Sequence, residues 1–253
     1  NSEADYITFD GFTVKGTRSD GVAITGDNNT VENCLIKNVA GNALVMNGSN
    51  NLAYNNEITR TGKGGIIISG GDTETLTPGN SKADNNYIHD WSEIYQTYQP
   101  AVTLEGVGNV CSHSEMANSP HEAITYKGNN HIIEYNLIHD VCLLSDDAGA
   151  IYSGRSWVWY GNVVRYNCIY NVGSENHRPD GVYLDDAVSG HQIYGNLLIN
   201  IPSNSIHVGG GRDNVITNNI IVNPGNNALR FDDRAREGAI DNGWFTHAYV
   251  GSG

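Results

Sequence analysis

Two stretches of the chain place neighbouring aspartates beside a tyrosine. The first, "SDDAGAIYSGR", contains Asp147 and Tyr152, and the second, "DGVYLDDAVSG", contains Tyr183 and the pair formed by Asp185 and Asp186. Paired carboxyl groups suit general acid–base chemistry, in which one acid protonates a leaving oxygen and a second acts as nucleophile or activates water. Such chemistry cleaves glycosidic bonds, provided that the fold brings the two stretches together.

The elements that position these acids repeat along the chain. An asparagine followed after one or two residues by an aliphatic residue recurs about every 22 to 31 residues. Glycine is also abundant, with 30 residues, and glycine and asparagine together interrupt most windows of the length that a helix needs. The repeated asparagines are Asn33, Asn56, Asn86, Asn136, Asn167, Asn196 and Asn219, with Ser114 in the one gap.

Short runs between the asparagines, such as "GVAIT", "PAVTL" and "GAIYS", have the length and β-branched content of strands. Strands in repeats of 20 to 30 residues indicate a solenoid, because one coil cannot bury a core alone. We therefore predict an all-β chain over residues 1–253: a single-domain right-handed parallel β-helix of about nine or ten coils with an asparagine ladder. A β-sandwich fits less well, since its turns do not repeat one asparagine in one register.

Alignment of the strands predicts which side chains face outward, because side chains alternate across a strand. The central aliphatic residues are Val102, Ile124, Ile151, Val182, Ile206 and Leu229. The next residue in each strand should face solvent, which gives the column Thr103, Thr125, Tyr152, Tyr183, His207 and Arg230, and in the first coils Thr25, Val45 and Ile68. Candidate substrate-binding residues are Tyr152, Tyr183, His207 and Arg230, with His121, Glu122 and Asp180 just before the strands. Small residues such as Gly149, Gly154 and Gly209 would leave room for a sugar.

Insertions between coils should project from one face, where solenoids often bind ligands. The insertions are "DTETLTPGNSK", "WSEIYQTYQ", "SGRSWVWYG" and "GSENHRP". Their aromatic residues suit stacking on sugar faces or capping of the core. Trp157 and Trp159 are the further candidates for substrate binding, and Trp91, Tyr95 and Tyr98 share the same two alternatives.

The predicted register leaves the two acid pairs far apart. Asp147 precedes Ile151 by four residues and Asp185 follows Val182 by three, which gives roughly 20 Å in extended chain, against about 5 to 9.5 Å for a catalytic pair. The chain must therefore bend at "DAG", or Asp147 pairs instead with Asp180 or Glu122. Acids in such turns also cap backbone amides or bind calcium, which keeps a structural role open.

Charge excludes several partners. The 253 residues carry 28 Asp and Glu against 14 Lys and Arg, a formal net charge of −14, which argues against binding a nucleic-acid backbone. No apolar run approaches the ~20 residues of a membrane span. The four cysteines are too few for a disulfide scaffold of this size and are expected to be buried free thiols. A polysaccharide or oligosaccharide is the expected partner, and the sequence does not predict the oligomeric state. No cofactor is expected, although calcium is left open. We expect a secreted or periplasmic location.

The run from Pro120 to Arg234, with "DDAGAIYSGR", "GVYLDDAVSG" and "HVGGGRDNVITNNIIV", resembles right-handed β-helix carbohydrate-active enzymes. It is most similar to glycoside hydrolase family 141, which includes α-L-fucosidases and xylanases. The resemblance implies a hydrolase with Asp147 in one catalytic role and Asp185 or Asp186 in the other. Family members are longer at both ends, so the chain is expected to be a piece of a longer protein.

Three functions compete. A glycoside hydrolase needs the acid pair. A polysaccharide lyase or uronate epimerase on the same fold needs cations that neutralise a uronate, for which Lys127, Arg155 and Arg230 could serve. A non-catalytic carbohydrate-binding or adhesin β-helix needs only the aromatic residues. Fold alone decides nothing among these.

Overall fold

The computed structural model of the protein describes residues 4–234, and these contain 28 strands and no helix. The chain winds through three parallel sheets in turn, so that each strand pairs with the equivalent strand of the next coil. The predicted right-handed parallel β-helix is therefore confirmed.

The three sheets have ten, nine and nine strands. The ten-stranded sheet carries the site described below and is named the site sheet; its strands are Val22–Thr25, Leu44–Asn47, Ile66–Asp72, Val102–Val107, Ile124–Asn129, Gly149–Gly154, Asp180–Asp185, Ile206–Gly209 and Leu229–Asp232, with Thr77–Pro78 as an antiparallel hairpin strand. The second sheet consists of Thr8–Asp10, Thr30–Glu32, Leu52–Tyr54, Lys82–Asp84, Val110–Ser112, Ile132–Glu134, Val163–Arg165, Gln192–Tyr194 and Val215–Thr217. The third consists of Thr13–Lys15, Leu35–Val39, Glu57–Thr61, Tyr87–His89, Glu115–Ala117, Leu137–His139, Cys168–Tyr170, Leu197–Ile199 and Ile220–Val222.

Stacked aliphatic side chains fill the interior. On the site sheet they form one fully buried column of Leu44, Ile66, Val102, Ile124, Ile151, Val182 and Ile206. The outward column from Thr103 to Arg230 also has the predicted register. In the first coils the prediction was wrong at two of three positions. Ala23, Val45 and Ile67 occupy this column, whereas Thr25 pairs with Asn47 and Ile68 with Leu104.

An amide ladder supports the turn between the second and third sheets. Each backbone N–H donates at 3.0–3.1 Å to the side-chain oxygen at the same position of the next coil, through Asn56, Asn86, Ser114, Asn136, Asn167, Asn196 and Asn219. The first member was predicted wrongly. Cys34, not Asn33, donates its backbone N–H to Asn56, and Asn33 lies one position earlier with φ 53°.

A second ladder supports the turn between the site sheet and the second sheet, and the sequence analysis missed it. Its members are Asn29, Asn51, Ser81, Asn109, His131, Asn162, His191 and Asn214. All eight are buried or half-buried. The residue type changes along this ladder, but each member presents an acceptor to a backbone or side-chain N–H, which keeps buried donors satisfied.

The insertions differ in how far they project. Trp91 is only 1% exposed and its indole N–H donates to the Gln99 carbonyl at 3.0 Å, so this ring fills the base of its loop instead of projecting. Tyr95 and Tyr98 on the same loop are 53% and 66% exposed. Because Trp91 fixes both ends of the loop, Tyr98 is placed beside the site sheet.

The state of the cysteines agrees with the sequence analysis, which expected free thiols. All four cysteines are free, with Cys34, Cys111 and Cys142 buried and Cys168 half-buried. A search of the described part of the chain finds no helix with the length and apolarity needed to cross a bilayer.

Candidate active site

A cavity of about 260 Å³ opens on the outer face of the site sheet, between the Tyr98 loop and the middle coils. Its walls combine hydroxyl groups, two aromatic rings, two cations and one carboxyl group. The lining residues are Tyr98, Pro100, Thr103, Glu122, Thr125, Lys127, Tyr152, Gly154 and Arg155.

Glu122 provides the carboxyl group of this cavity, and only 2% of its surface is exposed. Its Oε2 accepts a hydrogen bond from the Thr125 hydroxyl at 2.7 Å, while its Oε1 has no hydrogen-bond partner. Burial raises the pKa of Glu122 to about 8; the Thr125 hydrogen bond opposes this shift, and the charges of Asp147 and Asp185 add to it. Glu122 is therefore a protonated carboxylic acid at neutral pH.

His121 lies beside Glu122 and is 1% exposed. Its Nδ1 stands 3.7 Å from Glu122 Oε1, and the Tyr98 ring packs on the imidazole with centroids 5.0 Å apart. Burial lowers the pKa of His121 to about 4, so the imidazole is neutral and no cation neutralises Glu122 from this side.

Asp185 ends the Asp180–Asp185 strand and is 6% exposed. Its Oδ2 accepts from the Tyr152 hydroxyl at 2.9 Å, and its Oδ1 accepts from the Asp186 backbone N–H at 2.9 Å and from Arg234 Nη1 at 2.6 Å. Three donors, one of them a guanidinium, stabilise the ionised form of a carboxyl group. Asp185 thus accepts three hydrogen bonds, whereas one oxygen of Glu122 accepts none.

Tyr152 connects the cavity to Asp185. Its hydroxyl lines the cavity side of the strand, and burial followed by the charge of Asp185 raises the pKa of this tyrosine. Gly154 makes the contact possible, since a Cβ there would stand 2.4 Å from the Tyr152 hydroxyl oxygen. Gly209 similarly leaves space for Arg234, whose Cζ would lie 3.0 Å from such a Cβ. At Gly209 the space expected for a sugar is occupied by the Arg234 side chain, whereas Gly154 lines the cavity.

The two acid stretches lie at opposite ends of their strands, as the register predicted. Gly149 pairs with Asp180 and Gly154 with Asp185, and the chain bends at Asp146 and Asp147 before the strand begins. Asp147 is exposed. The charges of both Asp147 and Asp185 raise the pKa of Glu122, so this glutamate interacts with both acid stretches.

Asp180 and His207 are satisfied within the protein. Asp180 Oδ1 accepts from the backbone and side-chain N–H groups of Asn204 at 2.8 and 2.9 Å, and its Oδ2 lies 2.7 Å from His207 Nδ1. His207 Nε2 lies 3.1 Å from Asp232 Oδ2, and the ring stacks on Tyr183 at 4.6 Å. These groups are 5–7% exposed, apart from the half-buried Asp232, so the structure places them behind the site instead of in the cavity.

Asp186 follows Asp185 in a tight turn with φ 39° and is 7% exposed. Burial, and then the charge of Asp185, raises the pKa of Asp186, while Arg234 and Arg155 oppose the shift. Arg155 Nε stands 3.4 Å from its Oδ2. Asp186 therefore shares its cations with Asp185 and adds negative charge behind it.

The remaining predicted residues lie outside the cavity lining. Arg230 is about half exposed, with its guanidinium 4.0 Å from Asp232. Trp157 and Trp159 are half-buried on the loop that follows the Gly149–Gly154 strand. Their role in substrate binding stays a prediction.

Arg234 is the main site residue that the sequence analysis missed. It follows the last described strand and reaches back to Asp185, forty-nine residues earlier. No periodic position marks it, and Gly209, which leaves its space, is the only sequence signal. Within residues 4–234 no three His, Cys, Asp or Glu side chains are grouped to hold a metal ion. The expectation of no cofactor, with calcium left open, stays a prediction.

Comparison with known proteins supports the fold. A family model described as a right handed beta helix region matches residues 1–93. A solved structure described as a glycoside hydrolase is 12% identical with a TM-score of 0.58, covering 91% of this chain and 41% of that one. The crystal structure of an alginate lyase from Paenibacillus sp. str. FPU-7 is 12% identical with a TM-score of 0.60, covering 90% and 92%. No curated protein matches the chain. The chain thus spans less than half of the glycoside hydrolase, and likeness at this identity shows the fold alone.

Proposed function

We propose that the protein is a glycoside hydrolase in which Glu122 is the general acid and Asp185 the ionised carboxylate. The observation that carries this proposal is the contrast between the surroundings of two carboxyl groups: Glu122 is buried in the cavity wall, and Asp185 lies behind the Tyr152 hydroxyl that it accepts from. Burial raises the pKa of Glu122 to about 8, while Asp185 accepts hydrogen bonds from Tyr152 and Arg234. Glycoside cleavage requires this division, because one carboxyl group gives a proton to the leaving oxygen and the other attacks or activates water.

The cavity offers the contacts that a sugar ring needs. The Tyr98 ring presents an apolar face, and the hydroxyl groups of Thr103, Thr125 and Tyr152 present donors and acceptors. We propose a polysaccharide or oligosaccharide substrate, an α-L-fucosidase-like or xylanase-like activity of the family 141 type, and a secreted or periplasmic location.

Asp147 is the alternative partner of Glu122. It is exposed and its charge raises the pKa of Glu122, so it acts on the same acid from the opposite end of the strand. Under this proposal Asp147 helps to keep Glu122 protonated, and the Asp147→Asn variant distinguishes that role from direct catalysis.

A uronate lyase is the second candidate, and the cations of the cavity favour it. Lys127 and Arg155 line the cavity although the chain has a net charge of −14. Two cations, Lys127 and Arg155, could neutralise a uronate carboxylate. The Tyr152 oxygen would then receive the C5 proton as its own proton passes to Asp185, while the C4–O4 bond breaks, the C4–C5 double bond forms and the proton of Glu122 goes to the leaving oxygen.

Incubation with matched neutral and uronate-containing polysaccharides, and with aryl glycosides, tests both candidates. A hydrolase releases reducing ends, whereas a lyase also forms an unsaturated sugar that absorbs near-ultraviolet light. The variants are Glu122→Gln, Asp185→Asn and Asp147→Asn, and the control is Glu175→Gln, which changes an exposed carboxylate outside the cavity lining.

We expect reducing ends without the absorbance, and a loss of about 10²–10⁴-fold in kcat for Glu122→Gln and Asp185→Asn, as for removal of a general acid or base. Full activity in both variants would exclude the proposed pair. An absorbing product would replace the hydrolase with the lyase, and bound glycan without any product would leave a binding module.

A further inference from the structure

Arg234 follows the last described strand, and its guanidinium donates to two carboxyl groups of the site sheet, to the turn residue Asp186 and to one hydroxyl group. Its Nε and Nη2 donate to the two oxygens of Asp232 at 2.9 and 2.6 Å, which fixes the plane of the guanidinium. Its Nη1 is then aimed at three groups of an earlier coil: Asp185 Oδ1 at 2.6 Å, Asp186 Oδ1 at 3.2 Å and the Tyr183 hydroxyl at 3.1 Å.

Asp232 is itself fixed from the other side. His207 Nε2 lies 3.1 Å from its Oδ2, and His207 Nδ1 lies 2.7 Å from Asp180. His207 therefore bridges the carboxyl groups of Asp180 and Asp232. Burial would raise the pKa of Asp232, but the hydrogen bonds from Arg234 and His207 lower it to about 2. The result is a row of contacts that runs from Asp180 through His207, Asp232 and Arg234 to Asp185.

This row lies outside the cavity. Arg234, His207 and Asp232 are absent from the cavity lining, and Tyr152 is the lining residue whose side chain donates to the Asp185 carboxyl group. The row therefore acts on Asp185 and not on a bound sugar. An ion pair between Arg234 and Asp232 that served stability alone would not require the remaining nitrogen, Nη1, to point at Asp185 and Asp186.

We propose that Arg234, oriented by Asp232 and His207, is a positioning residue that keeps Asp185 in its carboxylate form while Glu122 stays protonated. This inference rests on the proposed function, because it explains how two acids on one sheet divide the acid and base roles. The groups that act on Asp185 from the surrounding elements are Tyr152, Tyr183, Asp186, Arg155, Glu122 and Arg234.

Loss of Arg234 should change the protonation of these acids. Asp185 and Asp186 would then be adjacent buried acids, and Arg155, at 3.4 Å from Asp186, would be the one cation among residues 4–234 left in ion-pair contact with them. Like charges in one site favour sharing a proton, and removal of an opposite charge within hydrogen-bond distance raises a carboxyl pKa by about 1 to 3 units. Activity in mildly acidic solution should fall through kcat, with little change in KM, because no cavity contact is lost.

The test compares Arg234→Gln, Arg234→Lys and Arg234→Ala with the control Arg230→Gln. Arg230 is the matched control because it also lies near Asp232, at 4.0 Å, but does not contact Asp185. Two measurements are made: the pH dependence of kcat/KM, and the pH titration of the Asp185 carboxyl carbon by NMR, assigned with Asp185→Asn.

We expect both the acid limb of the pH profile and the Asp185 titration to move up by about 1 to 3 units in Arg234→Gln and to stay in place in Arg230→Gln. Arg234→Lys should keep part of the charge effect, and guanidinium at low concentration should restore part of the kcat of Arg234→Ala. An unchanged Asp185 titration in Arg234→Gln and Arg234→Lys would overturn the inference.

The two measurements also separate this inference from the proposed function. If the wild-type protein hydrolyses no glycan, the NMR titration still tests whether Arg234 keeps Asp185 ionised. If hydrolysis occurs and the titration does not move, the function stands and the positioning role fails. Circular dichroism melting checks that each variant is folded, and the milder Arg234→Lys carries the test if Arg234→Gln unfolds.

Discussion

The buried acid Glu122 makes a quantitative prediction about stability. Its ordinary pKa is 4.5, and burial raises the pKa in the folded protein to about 8. The folded state therefore keeps a proton that the unfolded chain releases. The protonated form contributes its full stability below pH 4.5, and this contribution is lost as pH rises towards 8.

The magnitude follows from the shift. Between the two pKa values the wild-type protein loses about 1.4 kcal/mol of unfolding free energy per pH unit relative to a variant that cannot ionise. From pH 5 to pH 8 the difference between Glu122→Gln and the wild type should therefore grow by about 3.5 kcal/mol in favour of the variant. The glutamine amide can still accept from the Thr125 hydroxyl, which donates to Glu122 at 2.7 Å.

Urea unfolding of both proteins between pH 5 and pH 9 measures this difference. The control is Glu175→Gln, whose exposed carboxyl group should give a difference that stays flat across the range. The alkaline limb of kcat/KM in the wild type should fall near the same pH of about 8, because the general acid is then lost. Parallel stability curves for the wild type and Glu122→Gln would mean that Glu122 is ionised at neutral pH, and its role as the acid would be refuted.

Three further outcomes are expected. Asp185→Asn should lower kcat about 10³-fold, since the amide is neither nucleophile nor base. Tyr152→Phe should move the acid limb of the pH profile upward, because Asp185 loses a donor at 2.9 Å. Asn167→Leu should lower the free energy of unfolding in urea by about 3 kcal/mol or more, because the Asn136 N–H and the Ile133 carbonyl lose partners inside the protein; Gln192→Ala, on an exposed side chain, is its control.

The repeat of the chain was predictable because one physical requirement recurs in every coil. Each strand of the site sheet needs an aliphatic side chain inward, and this fixed the register from Val102 to Leu229. The predicted ladder was shifted by one residue at its first member, where Asn33 is followed by Cys34 at the ladder position. Asn33 adopts a left-handed conformation with φ 53°, which asparagine tolerates better than most residues, and Cys34 is left at the ladder position.

The site itself was less predictable because it depends on contacts between distant segments. Tyr152 beside Tyr183 follows from register, but the closure of Arg234 onto Asp185 depends on the path of the chain after its last described strand. The role of Glu122 also depends on burial, since the same glutamate in an exposed turn would be ionised. Composition and spacing do not report how deeply a side chain lies beneath a loop such as the one that carries Tyr98.

The architecture explains why two neighbouring acids can differ in protonation. Successive side chains along each strand of the site sheet point alternately to the core and to the outer face, so each outward side chain has neighbours on the coils before and after it. Glu122 has hydroxyl and neutral imidazole neighbours, Thr125 and His121, whereas Asp185 has a guanidinium from a later coil. Because stacking fixes these neighbours at the spacing of the coils, substitution of one outward residue is expected to affect the protonation of its neighbour on the next coil. The chemistry of the site therefore depends on which coils are adjacent, and loss of the segment that carries Arg234 would alter Asp185 without any change in its own strand.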